Sequence, residues 1–301
     1  MPRLAPLVLV LLSLVAGLGA CRGAAAPEAA VDDAGRAVVL PARPATVFPL
    51  APNVTELVAA AAGAERLAGV SPVDDFPAGI AALPRVATFP IDTEGLVALR
   101  PALVIGSLDV TSVADADRLT RLGLPTYLFG FATLADIPRS LRMLDTLLDV
   151  RGGAVAADAF ERRVAAVRGA VGGFSPPRVL LLVGYEGTFY AFGRASYASE
   201  MVRAAGGDNV TDRYDGAAAT PTAEALLEMA PEVILVLGGP EVTARTFAAR
   251  HPALISLPAV VSGRVYGIDP DLVSRPGPRV AEGLEAIARR LHPEAFAAGA
   301  A

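Results

Sequence analysis

The sequence predicts an α/β protein with two mostly parallel sheets separated by a helical stretch. Over two long stretches, short aliphatic runs alternate with amphipathic helical segments. Between them, from Leu134 to about Val171, there is no strand signal. One phrase also occurs twice, as TEGLVALRPALVIG from Thr93 and AEALLEMAPEVILV from Ala223. Each copy has a Glu near its start, a short helical pattern, a Pro at the same offset and then an aliphatic run.

The chain has 301 residues and is 53% hydrophobic, enough for two domains with substantial cores. Net charge is −5, every basic side chain is Arg, and no basic run occurs, which argues against a nucleic-acid footprint. At the N-terminus, Arg3 supplies positive charge and Leu4 to Val15 is apolar but short for a bilayer span. Leu18-Gly19-Ala20 then places small residues before Cys21. This pattern resembles the lipobox of bacterial lipoproteins. It implies a signal peptide over 1–20, a lipid anchor on Cys21 and a place on the periplasmic or extracytoplasmic face of the membrane. An ordinary secretory signal with an incidental Cys is the alternative. Cys21 is the only cysteine, so no intramolecular disulfide can form. Residues 21–34 are small, polar and Ala-rich and are expected to form a flexible tether.

An N-terminal α/β lobe is expected over 35–132. Thr46 to Leu50 reads as its first strand. Asn53-Val54-Thr55-Glu56 has the spacing of a capping box and opens an Ala-rich helix that Gly63 ends. Leu67 to Val70, Leu103 to Ile105 and Thr126 to Phe129 read as further strands. A helical linker follows over 133–173. Ile137, Leu141, Leu144, Leu147 and Leu148 recur at helical spacing, Gly152-Gly153 marks a break or kink, and Phe160, Val164 and Val167 mark a long second helix. The C-terminal lobe, 174–301, offers strands at Val179 to Val183, Val233 to Leu237 and Val265 to Ile268. Its helices are expected at Ser196 to Ala205 and Pro278 to Leu291.

The doubled phrase has a local explanation. Asp92-Thr93 precedes Glu94 and Thr222-Ala223 precedes Glu224, so each copy sets a capping residue before an acid in the first helical turn. The helix dipole favours such an acid by roughly 0.3–1 kcal/mol. Pro101 and Pro231 mark where helix yields to strand. The dipole accounts for each Glu singly, but less well for the shared offset from Pro.

Several stretches share one further likeness. They are LAPNVTELVAAAAGA from Leu50, GVSPVDDFP from Gly69, the two phrases above, AAGGDNV over Ala204 to Val210, and SRPGPRVAEGLEAIARRLHP from Ser274. In this order they resemble the vitamin-B12, haem and iron-siderophore binding proteins of ABC importers. The resemblance implies two Rossmann-like lobes joined by a single long backbone α-helix, with a ligand cleft between the lobes. It implies a monomer that captures a metal-chelate ligand, such as cobalamin or another corrinoid, a ferric siderophore or haem. The partners it implies are a membrane permease and its ATPase. By local motif, Glu94 and Glu224 fall on the acids that pair with permease arginines in the vitamin-B12 carrier. Such pairs are charge-assisted and fix orientation as well as affinity. Three ligand-contacting aromatics of that carrier fall on Val73, Phe89 and near Ala218. Only Phe89 is aromatic here, and the chain has no Trp.

Other ligand-binding candidates follow from position. Tyr185 and Tyr190 lie after the first strand of the second lobe, where parallel sheets bind ligands. They can stack on a ring, and a tyrosine oxygen can ligate haem iron; local packing is the alternative. Pro52 and Asn53 lie at a helix start, where free N–H groups suit a polar ligand. Asn53 can equally be a cap alone. Asp269 and Arg275 precede the last helix, and Arg275 can hold an anionic ligand oxygen or a structural salt bridge. A bare-metal carrier needs several His and carboxylate ligands, whereas His251 and His292 are the only histidines and each precedes a Pro. No metal site and no cofactor are expected. GxSxG, P-loop, GxGxxG and CxxC motifs are absent, so an enzyme is not expected. An α/β enzyme using Glu94 and Glu224, or a surface lipoprotein without transport, are the alternatives.

Overall fold

The computed structural model describes residues 28–299. The expected signal peptide, Cys21 and the first part of the expected tether lie outside the described residues. The remainder of that segment, 28–34, is not a tether. Strand β1 (Glu28–Val31) pairs antiparallel with β2 (Ala37–Leu40). Asp32 holds the turn, its Oδ1 accepting from the N–H groups of Ala34 and Arg36 at 3.1 and 2.9 Å. The hairpin docks through the Tyr127 hydroxyl, which donates to the Val31 carbonyl at 3.1 Å. The Asp33 N–H donates to the Leu128 carbonyl at 3.0 Å. An Asp-centred turn between two short strands reads as polar linker when only composition is considered.

The first lobe runs β3 (Val47–Pro49), α1 (Pro52–Ala62), α2 (Thr93–Leu99), β4 (Leu103–Ser107), α3 (Val113–Arg121) and β5 (Thr126–Phe129). Its sheet is parallel, in the order β3–β4–β5. The strand expected at Leu67 to Val70 is reduced to isolated bridges, Leu67 with Val47 and Val70 with Arg85. The N–H groups of Leu67, Ala68 and Val70 go to three different places, the carbonyls of Ala64, Val47 and Pro84, so no ladder extends.

Two helices follow, α4 (Asp136–Leu148) and α5 (Gly152–Val171). The glycines between them do more than break the pattern, because they let α5 approach its neighbours. A Cβ on Gly152 would lie 2.3 Å from the Ala61 carbonyl oxygen of α1, and one on Gly153 2.0 Å from that of Leu141 in α4. Asp145 of α4 caps the new helix, accepting from the N–H groups of Gly153 and Ala154 at 2.7 and 2.8 Å.

The second lobe runs β6 (Arg178–Gly184), β7 (Tyr190–Phe192), α6 (Tyr197–Ala204), β8 (Asp208–Asn209), β9 (Ala218–Ala219) and α7 (Ala223–Met229). It continues through β10 (Val233–Leu237), α8 (Ala244–Arg250), α9 (Pro258–Val261), β11 (Val265–Ile268), α10 (Asp271–Ser274) and α11 (Val280–Leu291). The sheet order is β11–β10–β6–β7–β9, with β8 beside β6. Strands β11, β10, β6 and β8 are parallel, while β7 runs antiparallel to β6 and β9. The central strands are aliphatic throughout because both faces are covered.

The lobes share a core. One apolar cluster runs from Val54 and Leu57 of α1, through Leu141 and Leu144 of α4 and Phe160 and Val164 of α5, to Leu181, Met201 and Leu284. Helix α5 packs against α1 on one side and against α6 and α11 on the other. Polar contacts tie the same seam. The capping box expected at Asn53 to Glu56 does not form, because Ala51 is the cap and Pro52 opens the helix. Asn53 and Glu56 are instead buried inside α1 and face the second lobe. The Asn53 amide lies 3.5 Å from the Pro276 carbonyl as donor. Glu56 accepts two hydrogen bonds from Arg279, at 2.6 and 3.0 Å. Arg275 adds a bond to Asp75 at 2.5 Å and an ion pair with Asp271 at 3.0 Å. Burial pushes the Glu56 carboxyl above the usual range, against the downward pull of Arg279 and Arg275.

Four outcomes are expected from urea denaturation followed by far-UV circular dichroism. Gly153→Ala should cost about 1–3 kcal/mol through overpacking. Gly169→Ala, in the same helix with open space around it, should be stabilising by about 0.5–1 kcal/mol. Arg279→Leu, which leaves the buried Glu56 carboxylate with only the 3.8 Å pair to Arg275, should cost about 3 kcal/mol, and adding Glu56→Leu should restore most of it.

Candidate ligand cleft and docking surface

The carboxyl ends of the strands of both lobes open onto one cleft. In the first lobe, Leu50 and Pro52 follow β3, and Leu108, Asp109 and Val110 follow β4. Phe131 and Ala132 follow β5. In the second lobe, Val183 and Phe192 come from β6 and β7, Ser196 and Tyr197 from the start of α6, and Ser274 and Pro276 from the segment before α11. Loops at strand ends are where a parallel sheet presents ligand-binding groups. The cleft consists of two adjoining volumes, about 520 Å³ between the lobes and about 630 Å³ against the first lobe. Asp109 lines both.

The walls are mainly apolar. Phe89 stands 93% exposed at the rim, and Val73, Val110 and Val183 also show their side chains to water. No Arg, Lys or His lines either volume. Asp109 is open to cleft water, yet the facing walls desolvate it and push its carboxyl above the usual range. The Ser107 hydroxyl donates to its Oδ2 at 3.0 Å. The Tyr197 hydroxyl is engaged by the Val273 carbonyl, and burial, with Asp109 nearby, pushes its pKa up, so it stays protonated.

Of the residues expected at the ligand site, Pro52 and Phe89 line the cleft. Tyr190 is exposed on β7, on the strand face that carries the cleft-lining Phe192. The other four are placed elsewhere. Asn53 is buried and turned towards Pro276. Tyr185 lies on the opposite side of the second sheet, with Leu180 and Leu182. There it stacks on Phe247 at 5.8 Å and accepts a hydrogen bond from Arg250 at 2.5 Å. Asp269 accepts from the Asp271 N–H at 2.9 Å, and Arg275 is taken up by ion pairs with Asp75 of the first lobe and Asp271 of its own. The sequence reading overlooked Asp109, Phe131, Phe192 and Tyr197. For Asp109 a signal existed, since it lies just past the third aliphatic strand.

Glu94 and Glu224 sit in matching settings. Asp92 and Thr222 cap α2 and α7, accepting from the N–H groups of Gly95 and Ala225 at 3.0 and 3.2 Å. Each Glu is the second helical residue and is exposed. Each helix buries one Leu, Leu96 or Leu226, and exposes the next apolar residue, Val97 or Leu227. Each ends on a left-handed residue, Arg100 at φ 49° or Ala230 at φ 44°. That residue precedes a Pro, which disfavours continued right-handed helix. Among the described residues neither Glu has an ion-pair partner. The Glu224 carboxyl is held below the usual range by hydrogen bonds from its own N–H and Thr222.

Other features lie apart. A larger concavity, about 910 Å³, is a groove between α4 and α5, not the cleft. Its arginines are paired, Arg139 with Asp33 and Asp136, Arg142 with Asp158 and Glu161, and Arg168 loosely with Glu200 at 3.9 Å. His292 is buried against the Gly206 carbonyl, and His251 packs among Tyr185, Phe189 and Phe247. Among the described residues no group of three or more His, Cys, Asp or Glu is arranged to hold a metal ion, and no helix is long and apolar enough to cross a membrane.

Comparison with known proteins agrees with this architecture. The vitamin B12-binding protein of Pectobacterium atrosepticum is 28% identical over 255 residues, covering 82% of this chain and 88% of that protein. An uncharacterized ABC transporter substrate-binding lipoprotein of Bacillus subtilis, YvrC, is 24% identical over 278 residues, covering 88% and 86%. The periplasmic heme-binding protein BhuT, solved with two hemes, superposes with a TM-score of 0.73 at 28% identity, covering 84% of this chain and 99% of that one. The sequence model of the periplasmic binding protein family matches residues 48–272, and the chain belongs to that family.

Proposed function

We propose that this protein is the solute-binding component of an ABC importer, and that it captures a metal chelate of the corrinoid, haem or ferric-siderophore kind and passes it to a permease and its ATPase. The observation that carries this is the cleft, apolar-walled and set at the strand ends of both lobes, in a chain of this family. Flat or bulky chelates present apolar faces with a few polar groups at the rim, and such walls suit them. The relatives named above supply the corrinoid and haem members of that class. The chain has no catalysis of its own in this reading.

The remaining assignments belong to the same proposal. Glu94 and Glu224 are docking acids that meet arginines of the permease, with Val97 and Leu227 beside them as apolar contacts. Phe89, Tyr190 and Pro52 touch the ligand. Cys21 carries a lipid that holds a monomer at the extracytoplasmic face, after removal of 1–20. The lobes divide as 28–132 and 174–299, with 133–173 between them.

A double Glu94→Ala, Glu224→Ala variant should lose on the order of 100-fold in affinity for the permease, from two charge-assisted contacts. Vesicle uptake should fall with it, while calorimetric ligand affinity stays unchanged; lost ligand affinity would refute the docking role. Phe89→Ala should weaken ligand binding by about 1–2 kcal/mol through lost stacking. Its melting temperature should stay constant, because the ring is exposed.

A further inference from the structure

We propose that Asp109 is the specificity-determining residue of the cleft, and that it selects metal chelates whose rim offers amide or hydroxyl donors over chelates that bear carboxylates or other anionic groups. This rests on the solute-binding reading above and narrows it.

Asp109 is the one side chain shared by the two halves of the cleft. It sits in the loop from β4 to α3, opposite Ser196 and Tyr197 of the second lobe. A ligand that fills the cleft therefore passes over it. Its Oδ2 is held by Ser107, and among the described residues no donor reaches Oδ1. That oxygen is left for a donor from the ligand.

The charge around it runs one way. No basic residue lines either volume. The second-lobe arginines close in sequence to the cleft lining are committed elsewhere, Arg275 and Arg279 to Asp75, Asp271 and Glu56, and Arg194 to Asp215 and the Asp212 carbonyl. The causes acting on the Asp109 carboxyl are burial and the Ser107 hydroxyl, with no guanidinium among them. A ligand carboxylate entering here would meet a like charge between low-dielectric walls and no counter-charge, which disfavours it strongly. A neutral or cationic chelate with amide N–H groups would give Asp109 the partner it lacks, in a charge-assisted hydrogen bond. Of the groups among the described residues that could reach a ligand's metal, the Tyr197 hydroxyl is spent on Val273 and both histidines lie outside the cleft, which leaves only Tyr190, exposed on β7.

The test uses the mature chain and three probes by calorimetric and visible-absorbance titration. These are cyanocobalamin, whose rim carries amides, one of its monocarboxylic acid derivatives, and haemin with its two carboxylates. Wild type should prefer cyanocobalamin to both acids by about tenfold or more. Asp109→Asn, nearly isosteric, should narrow that preference and leave the melting temperature unchanged. Equal binding of the acid derivative, binding of haemin in preference to cyanocobalamin, or an unaltered preference in Asp109→Asn would overturn the assignment while leaving the carrier reading intact. Binding of none of the three would overturn the assignment and leave the carrier reading to ferric siderophores alone.

Discussion

A carboxylate taken almost wholly out of water must find a positive partner or give up its charge, and Glu56 finds its partner on the other lobe. The two hydrogen bonds from Arg279 cross the seam just behind the cleft. Because removing either member strands the other, the pair fixes the lobes more firmly than its net energy suggests. Helix α1 is thereby fastened to the second lobe by its inner face while its first residue, Pro52, lines the cleft. The shared apolar core along α4 and α5 supports the same arrangement from behind. Opening the lobes widely would expose that core and break the charge network together, so only small opening motions are compatible with both.

The distribution of charge sorts the molecule by task. Arginines near the cleft are consumed in internal pairs, which leaves apolar walls and a single acid. The acids at the starts of α2 and α7 are left unpaired and exposed. A seam that satisfies its own charges and a surface that does not are what separate internal scaffolding from groups free to meet another molecule.

The aliphatic parallel strands at the centre of each sheet and the twin helices were legible in the sequence because they are local. Aliphatic runs such as Val233 to Leu237 appear where the text places them, and the caps at Asp92 and Thr222 follow from their side chains. What failed was whatever depends on a distant partner. Asn53 and Glu56 have capping-box spacing, but their partners are more than two hundred residues away. Arg275 and Tyr185 carry ligand-like chemistry that is used up by Asp75 and by Arg250. The hairpin at Glu28 to Leu40 was missed because its register rests on docking against Tyr127 and Leu128. Asp109 carried a signal in its place just past an aliphatic strand, but only the facing lobe gives it a setting.

The matched helix starts have a consequence for whatever meets them. Cap, acid, buried Leu, exposed apolar residue and left-handed end recur in the same order on α2 and α7. One asymmetric chain therefore offers two near-copies of a single epitope. A surface of that kind is met most economically by a receptor made of two identical subunits, each supplying the same pocket. A chain that repeats one epitope at only this place can engage the two subunits of such a receptor in either of two orientations.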